Sequence, residues 1–398
     1  MINNKTQPKN WQKVKLQDIS LLISRGAQPE YVASGGVRVI NQKCIRGGKI
    51  DFNESRLTDI RKKPIAENKY LKEYDILVNS TGTGTVGRVS QIKKLDEPLV
   101  IDSHVTLVRP DLKTVWGKFL GYKLSCYEKF LEGAADGSTS QVELSREIIR
   151  NLEIILPPLS SQESIADILS AFDDKIGLNN KINQNLEQIA QAIFKEWFVK
   201  NKKKDNNGKL GDLMDIVSGF PFSSKIYNSK KGLGVVTIKN VQDGNFVRDF
   251  DSFIENENLS KRINQNCILE DGDVLLSLTG NVGRVCIVYG GKYLLNQRVA
   301  KIKPKSEKDL AFCYFLFRQT AMQNLLINMA KGSAQPNLSP VETGKIEFAV
   351  PSRDLLDDFS KAVTPIYQKI VGNINENQKL ASLRDLLLPK LMSGEIRV

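Results

Sequence analysis

Two long stretches of the chain place apolar residues at the spacing of an amphipathic helix. Residues 161–198 follow Pro157-Pro158 and open with a serine and a glutamate at capping-box positions, and residues 355–392 repeat the apolar pattern. In both stretches, polar residues interrupt the apolar stripe at one equivalent level. The pattern predicts two helices of roughly 40 residues, each about 60 Å long.

An isolated helix with one apolar stripe is only marginally stable in water, so each of these helices needs a partner. We predict that the two helices pair with each other as an antiparallel coiled coil with approximate two-fold symmetry. The residues predicted to line the pairing surface are Ile165, Leu169, Phe172, Ile176, Leu186, Ile193, Trp197, Phe359, Val363, Ile366, Ile370, Leu380, Leu387 and Leu391. The alternative is that each helix packs on its own preceding domain.

Short apolar runs outside the helices predict strands, and these runs occur twice in the same order. EYDILVNSTGTGTVGRV (73–89) is repeated as DGDVLLSLTGNVGRV (271–285), and GSTSQVELS (137–145) is repeated as GSAQPNLS (332–339). The repeat predicts an α+β protein with two tandem α/β domains, each followed by a long helix. The predicted bounds are 1–157 for the first domain, 158–200 for the first helix, 201–208 for a basic linker, 209–351 for the second domain and 352–398 for the second helix with the C-terminal tail.

A glycine-rich turn in the first domain has the spacing of a dinucleotide-binding motif. Gly82, Gly84 and Gly87 spell G-x-G-x-x-G after a strand-like run. A dinucleotide-binding turn opens a helix, whereas residues 86–92 have the β-branched pattern of a strand, and the second copy at 279–284 lacks the first glycine. We therefore interpret the glycines as residues of positive φ in a strand–turn–strand loop, and a nucleotide-dependent enzyme becomes the least favoured function.

The composition favours a nucleic-acid partner. The chain has 398 residues, a formal net charge of +12 and a pI of about 9.3, and such a positive excess attracts polyanions. No apolar run reaches the roughly 18–20 residues of a membrane span, and the first ten residues lack the apolar stretch of a signal peptide. Five scattered cysteines without a C-x-x-C pair argue against disulfides and structural zinc. We expect no membrane association and a reducing cytoplasm.

The residues that common catalytic mechanisms require are missing from the sequence. His104 is the only histidine, which excludes a histidine-based triad, and we interpret it as a structural histidine in a strand. The sequence contains no P-loop and no Asn/Asp-Pro-Pro-aromatic signature of amino-methyltransferases. We therefore predict no catalytic residue, no metal site and no cofactor.

The duplicated order of domain and helix resembles the specificity subunit of type I restriction-modification systems. The resemblance covers nearly the whole chain, and it rests on short motifs in a fixed order rather than on any one of them. These motifs are KLQDI (15–19), KLGDL (209–213), the two glycine turns, the two GS…Q…LS segments, IFKEWFV (193–199) and LLPKLMSGEIRV (387–398).

The resemblance implies a non-catalytic subunit that reads double-stranded DNA. In that family each target recognition domain reads one half of a bipartite sequence, and the paired helices set the gap between the halves. The helices also dock two copies of a DNA methyltransferase subunit, which can recruit ATP-dependent restriction subunits. Because the two domains differ in sequence, the target should be asymmetric. The alternatives are a recognition module of another methylation system and a scaffold protein.

Polar residues on three pairs of equivalent loops are the candidate DNA contacts. They are Lys43, Arg46, Thr83, Thr85, Arg88, Ser138, Thr139, Gln141, Lys239, Asn240, Asn281, Arg284, Ser333, Gln335 and Asn337. Arginine and glutamine suit guanine and adenine edges respectively, whereas serine, threonine and lysine more often contact phosphates. Residues common to both copies, such as Arg88 and Arg284, cannot distinguish two different half-sites, so we expect them to bind phosphate or to brace the turn.

Overall fold

The computed structural model divides the chain into two compact units. The first unit is formed by Met1–Asp174 together with Ala381–Val398, and the second by Lys175–Leu380. The residues that the structure describes are 8, 10–137, 142–200, 206–228, 230–259, 265–330 and 336–398. Each unit thus contains one of the two predicted domains and a segment of each long helix.

The first unit is built mainly from short strands. Its strands are β1 (Gln12–Lys15), β2 (Ser20–Arg25), β3 (Tyr31–Val32), β4 (Val37–Ile40), β5 (Ile45–Arg46), β6 (Lys49–Ile50), β7 (Arg56–Thr58), β8 (Ile76–Asn79), β9 (Val89–Gln91), β10 (Leu99–Ile101), β11 (Val105–Pro110) and β12 (Glu153–Leu156). Its helices are α1 (Gly117–Ser125), α2 (Glu128–Gly133), α3 (Arg146–Arg150) and the first part of the long helix α4 (Leu159–Phe194).

Two four-stranded sheets carry the first unit. One has the order β2–β11–β8–β9 with antiparallel neighbours throughout. The other has the order β10–β4–β7–β3, in which only β10 and β4 run parallel. The strand β8 is buried at every position, as expected for a continuous apolar run at the centre of a domain. Outside these sheets, β5 pairs with β6 and β1 pairs with β12.

The second unit has the same kinds of element. Its strands are β13 (Asn206–Lys209), β14 (Met214–Ser218), β15 (Leu233–Val236), β16 (Val241–Gln242), β17 (Asn245–Phe246), β18 (Phe253–Ile254), β19 (Ile268–Leu269), β20 (Val274–Ser277), β21 (Val285–Ile287), β22 (Tyr293–Leu295), β23 (Val299–Pro304) and β24 (Glu347–Val350). Its helices are α5 (Leu210–Leu213), α6 (Leu310–Phe317), α7 (Thr320–Ala330), α8 (Pro340–Gly344) and most of the long helix α9 (Arg353–Ser393).

The strand order of the second unit repeats that of the first. Its two larger sheets have the orders β14–β23–β20–β21 and β18–β15–β22–β19, with β15 and β22 as the parallel neighbours. The two sheets that contain a parallel pair differ at both edges, because β3 extends the first sheet beyond β7 whereas β19 extends the second beyond β22. The prediction of two tandem α/β domains is therefore confirmed.

The long helices end close to their predicted bounds. Helix α4 continues into a π-helical turn at Lys195–Lys200, which completes the predicted range 158–200. Helix α9 ends at Ser393. The predicted range, which includes the C-terminal tail, ends five residues later, at 398. None of the helices in the described ranges is long and apolar enough to cross a membrane.

The apolar stripes of both long helices pack into the cores of the units. In the first unit, Ile165 and Leu169 of α4 share a core with Leu387 and Leu391 of α9. In the second unit, the predicted stripe residues in the core are Leu186, Ile193, Trp197, Phe359, Val363, Ile366 and Ile370. The predicted residues that are half-buried and lie outside these cores are Phe172, Ile176 and Leu380.

Asparagine side chains join the two long helices at the polar interruption of the stripe. Nδ2 of Asn373 donates to Oδ1 of Asn183 at 2.8 Å, and Nδ2 of Asn179 donates to Oδ1 of Asn377 at 2.9 Å. Asn179 and Asn373 are only 1% and 2% exposed, so they depend on these partners for hydrogen bonds. The polar residues that interrupt the apolar stripe are thus hydrogen-bonded between the helices of the second unit.

The predicted basic linker, 201–208, overlaps a strand. Residues 201–205 lie outside the described residues, but Asn206–Lys209 forms β13 and pairs antiparallel with Glu347–Val350. The prediction was wrong for 206–208, because a polar run that contains glycine is typical of a loop. In a two-stranded sheet such a run can still form a strand, since it need not bury alternate side chains.

Candidate nucleic-acid interface

The glycine-rich turn of the first unit joins two antiparallel strands. Residues 80–88 connect β8 to β9, and Gly82, Gly84 and Gly87 have φ angles of 101°, 72° and 83°. The glycines are followed by the strand Val89–Gln91, so they do not open a helix. The strand–turn–strand interpretation is therefore confirmed, and the geometry of a dinucleotide-binding turn is absent from this segment.

Gly87 is the glycine of this turn that neighbouring backbone constrains most. A Cβ atom at this position would lie 2.6 Å from the backbone nitrogen of Glu132 and 2.9 Å from the carbonyl oxygen of Glu128, both in α2. Its counterpart in the second unit, Gly283, has a similar φ of 81°, but the nearest atom would be 3.6 Å away.

Replacing Gly87 with alanine should therefore destabilise the protein more than replacing Gly283 with alanine. Both substitutions place a Cβ atom in the left-handed region, at a cost of about 1–2 kcal/mol, and only Gly87→Ala adds a backbone clash. Urea unfolding of the two full-length variants measures the difference. Equal decreases in the free energy of unfolding would show that the close approach of Gly87 to α2 does not contribute to the cost of the substitution.

The turn of the first unit is tied to the loop that precedes β5. Nδ2 of Asn79 donates to the carbonyl oxygen of Gln42 at 2.9 Å, and the Thr81 hydroxyl donates to Oε1 of Gln42 at 3.1 Å. From the other end of the turn, Nη1 of Arg88 donates to the carbonyl oxygen of Ile45 at 3.4 Å. Two of the three predicted loops of this unit are thus brought together.

The predicted residues on these two loops fall into two groups. Lys43, Arg46 and Thr83 are exposed and available to a partner. Arg88 also donates to the carbonyl oxygen of Gly84 at 2.7 Å, and the Thr85 hydroxyl donates to that of Gly82 at 3.1 Å, so both brace the turn. Bracing is one of the two roles expected for Arg88 from its presence in both copies.

The third predicted loop falls in ranges that the structure leaves undescribed. Ser138, Thr139 and Gln141 in the first unit, with Ser333 and Gln335 in the second, lie outside the described residues. The described residues that follow these loops are held beside the glycine turns. Glu143 forms an isolated antiparallel β-bridge with Thr81, and Asn337 forms one with Thr279. Asn337 is exposed.

The second unit links its loops by equivalent contacts. Nη1 of Arg284 donates to Oε1 of Gln242 in β16, and the backbone nitrogen of Gly244 donates to the carbonyl oxygen of Val285 at 2.8 Å. Arg284 therefore braces its turn as Arg88 does, whereas Asn281 at the tip of the turn is exposed. The candidate surface of this unit combines the turn, the β16–β17 hairpin and the segment at Asn337.

Two predicted contacts of the second unit are engaged within the protein. Asn240 is fully buried, and its Nδ2 donates to the carbonyl oxygens of Val247 at 2.8 Å and Asp249 at 2.9 Å. Lys239 forms ion pairs with Asp249 and Asp251. A base contact by the Asn240 side chain would require the loop to open, so we leave Asn240 out of the proposed contacts. Lys239 would have to exchange its carboxylate partners for a phosphate.

His104 lies on this surface, which differs from its interpretation as a structural residue within a strand. Its side chain is exposed in the tight turn between β10 and β11, and Nδ1 is 2.7 Å from the Thr81 hydroxyl. The backbone N–H of His104 donates to the Asp102 carboxylate at 2.9 Å. Burial raises the pKa of the Asp102 carboxyl, and the hydrogen bond from His104 acts in the opposite direction. The surface therefore includes Gln42, Thr81 and His104, which sequence reasoning missed because their contacts join distant segments.

The arrangement suits binding rather than bond chemistry. Exposed lysine, arginine, threonine and asparagine side chains on paired loops can contact phosphates and base edges. Within the described ranges, no group of three or more His, Cys, Asp or Glu side chains could hold a metal ion. A surface of this kind on each of two tandem domains is suited to binding nucleic acid.

Comparison with known proteins assigns the family. The family model described as "Type I restriction modification DNA specificity domain" matches residues 8–188 and 202–354, which is most of the chain. The chain belongs to this family. Its role is therefore target recognition for a type I restriction-modification system, and the recognition subunit is not the catalytic component of such a system.

Similar proteins match nearly the full length of the chain. The HindI specificity subunit of Haemophilus influenzae is 25% identical over 469 residues, covering 97% of this chain and 100% of that protein. The MjaIX specificity subunit of Methanocaldococcus jannaschii is 26% identical over 428 residues, covering 98% of this chain and 94% of that protein. The crystal structure of the type I S subunit from M. genitalium has a TM-score of 0.58 at 18% identity, covering 98% and 97% of the two chains, which shows a shared fold.

Proposed function

We propose that this chain reads an asymmetric, bipartite sequence in double-stranded DNA, one half with each domain. The observation that carries the proposal is one strand order repeated in two units whose loop residues differ. Equivalent loops can approach DNA in the same way, while different side chains read different bases. The net charge of +12 adds attraction to phosphates that is independent of sequence.

The exposed residues of the two loop surfaces are the proposed contacts. In the first domain they include Lys43, Arg46 and Thr83, and in the second they include Asn281 and Asn337. Lysine and threonine are suited to phosphates and asparagine to an adenine edge. The predicted residues of the third loop, at 138–141 and 333–335, remain part of the proposal.

We further propose that α4 and α9 pair as an antiparallel coiled coil with approximate two-fold symmetry, which sets the gap between the half-sites. Side-chain contacts along the helices support this direction. Residues 173, 179 and 183 of α4 form hydrogen bonds with residues 384, 377 and 373 of α9 respectively, so the numbers fall along one helix as they rise along the other. A buried asparagine pair is a known device for fixing the register of paired helices.

Two copies of a DNA methyltransferase subunit are the proposed partners of the chain. With one methyltransferase for each half-site, the symmetric helix pair would let each of them address one strand of an asymmetric target. Restriction subunits would join through that complex, in the cytoplasm, where the free thiols of all five cysteines would be stable.

Replacing residues 209–351 with the second domain of another family member should change only one half of the recognised sequence. Each domain has its own sheets and its own core, so a new second domain leaves the loops of the first unchanged. Single-molecule sequencing of methylated bases in cells that carry the chimaera reads both halves at once. The matched control replaces residues 1–157 and should change the other half. A change in both halves from either replacement would contradict reading by separate domains.

A further inference from the structure

The two domains carry different side chains at one structurally equivalent position beside the glycine turn. This position is His104 in the first domain and Arg298 in the second. Their carbonyl oxygens accept from the backbone nitrogens of Ser80 and Leu278 at 2.9 and 3.1 Å, the equivalent residues after β8 and β20. Both side chains are exposed in the turn that precedes the central strand β11 or β23.

The same correspondence holds on the other side of this turn. The backbone N–H of His104 donates to Oδ1 of Asp102 at 2.9 Å, and that of Arg298 donates to Oδ1 of Asn296 at 3.2 Å. In each case the residue after the turn, Val105 or Val299, begins the central strand. The turn thus makes the same backbone hydrogen bonds in both domains, while the side chain that it presents differs.

A second equivalent position also differs between the domains. Gln42 lies beside Gly82 in the first domain, and Ile238 lies beside Gly280 in the second. Gln42 accepts a hydrogen bond from Thr81, whereas Thr279, the counterpart of Thr81, has a buried hydroxyl oxygen without a partner among the described residues. The polar trio Gln42–Thr81–His104 therefore has no equivalent in the second domain.

On the basis of the proposed function, we infer that His104 and Arg298 determine which base is accepted at one position of each half-site. Residues that read two different half-sites must themselves differ, and they must stand at the same place on a shared backbone. His104 and Arg298 meet both conditions, whereas Arg88 and Arg284 are identical and hold their turns. The chemistry of each side chain then specifies the class of base edge.

Arg298 is suited to guanine. No hydrogen bond or ion pair joins its guanidinium to another described residue, so the planar fork is available. A free arginine fork can donate two parallel hydrogen bonds to O6 and N7 of guanine in the major groove. The half-site of the second domain should therefore contain a guanine that Arg298 reads.

His104 is suited to a base whose edge carries a hydrogen-bond donor. With the Thr81 hydroxyl donating to Oε1 of Gln42 at 3.1 Å, we assign Nδ1 of His104, which lies 2.7 Å from the Thr81 oxygen, as the protonated ring nitrogen. In this tautomer Nε2 is a hydrogen-bond acceptor, which suits the exocyclic amine of adenine or cytosine. The half-site of the first domain should therefore contain an adenine or a cytosine at the corresponding position.

The test replaces the gene in its host with variants of the full chain and sequences the methylated bases. Arg298→Ala should relax one guanine in the half-site of the second domain, with a loss of discrimination of roughly 5- to 150-fold, the range for one bidentate base contact. Arg298→Lys keeps the charge but not the fork, so it should relax the same position. His104→Ala should relax one adenine or cytosine in the other half-site only.

The control is Lys305→Ala, which removes an equal charge from an exposed ion pair with Asp215 just beyond β23 and should leave every position unchanged. An unaltered motif with Arg298→Ala, or a change in the half-site of the first domain, would overturn the inference. Uniform loss of methylation with normal protein levels would also overturn it, because that result marks general DNA affinity. A wild-type host without any bipartite motif dependent on this gene would refute the proposed function, and the inference with it.

Discussion

Replacing Arg109 with methionine should lower the free energy of unfolding by about 3–5 kcal/mol, because it leaves a buried carboxylate without its counter-charge. Asp75 is fully buried, and the Arg109 side chain is only 9% exposed. Nε and Nη2 of Arg109 donate to the two carboxylate oxygens of Asp75 at 2.9 and 2.7 Å. Arg109 lies in β11 and Asp75 immediately precedes β8, and these two strands are at the centre of their sheet. We therefore expect the loops of the first domain to lose order as well.

The second unit offers a matched control. Lys301 pairs with Asp273, the counterpart of Asp75 in the repeat, but the two side chains are 19% and 16% exposed. Water can solvate the carboxylate left by Lys301→Met, so that substitution should cost clearly less than Arg109→Met. In the double variant Asp75→Asn/Arg109→Met, removal of the stranded charge should restore part of the lost stability. Calorimetric unfolding of the full chain measures all three. Equal losses for Arg109→Met and Lys301→Met would contradict the role assigned to burial.

Deleting one matched heptad from both long helices should shorten the gap between the half-sites by about three base pairs. Residues 175–181 and 375–381 lie opposite each other, since Asn179 of the first segment contacts Asn377 of the second. Seven residues correspond to about 10.5 Å of helix, and DNA advances about 3.4 Å per base pair. The deletion preserves the Asn183–Asn373 pair and nearly preserves the phase of the apolar stripe.

Deleting residues 175–181 alone is the contrasting variant. It puts the two stripes out of step by a heptad and leaves buried asparagines without partners, so we expect methylation to be lost. The motif that is methylated in cells carrying each variant gives the gap directly. An unchanged gap after the matched deletion would contradict the proposal that the helices act as a ruler.

Features that depend on local pattern or on the repeat were predictable from the sequence. The long helices follow from apolar spacing, and the positive φ of Gly87 follows from a turn whose second copy keeps that glycine. The repeat also predicted that the two domains have equivalent strands, because two copies of one apolar pattern bury equivalent residues. The edge strands β3 and β19 differ between the units, and no repeated sequence pattern predicts either of them.

The chemistry of individual loop residues was much less predictable. Asn240 reads as a polar loop residue, yet it is buried because its amide satisfies two carbonyl groups that follow β17. The exposed position of His104 depends on the turn between β10 and β11, and its Nδ1 lies 2.7 Å from the hydroxyl of Thr81 in the glycine turn. Such contacts join segments far apart in the chain, so the spacing of apolar residues cannot predict them. Charge and exposure can be judged only once the loops are assembled.

Whether this chain selects the DNA target is best measured by comparing the methylated bases across the genome of the host with and without this gene. We expect one asymmetric, bipartite motif to be methylated in the parent, to disappear in the deletion strain and to return when the gene is restored. Retention of every methylated motif in the deletion strain, with the methyltransferase subunit still expressed, would contradict the assignment of this chain as the subunit that selects the target.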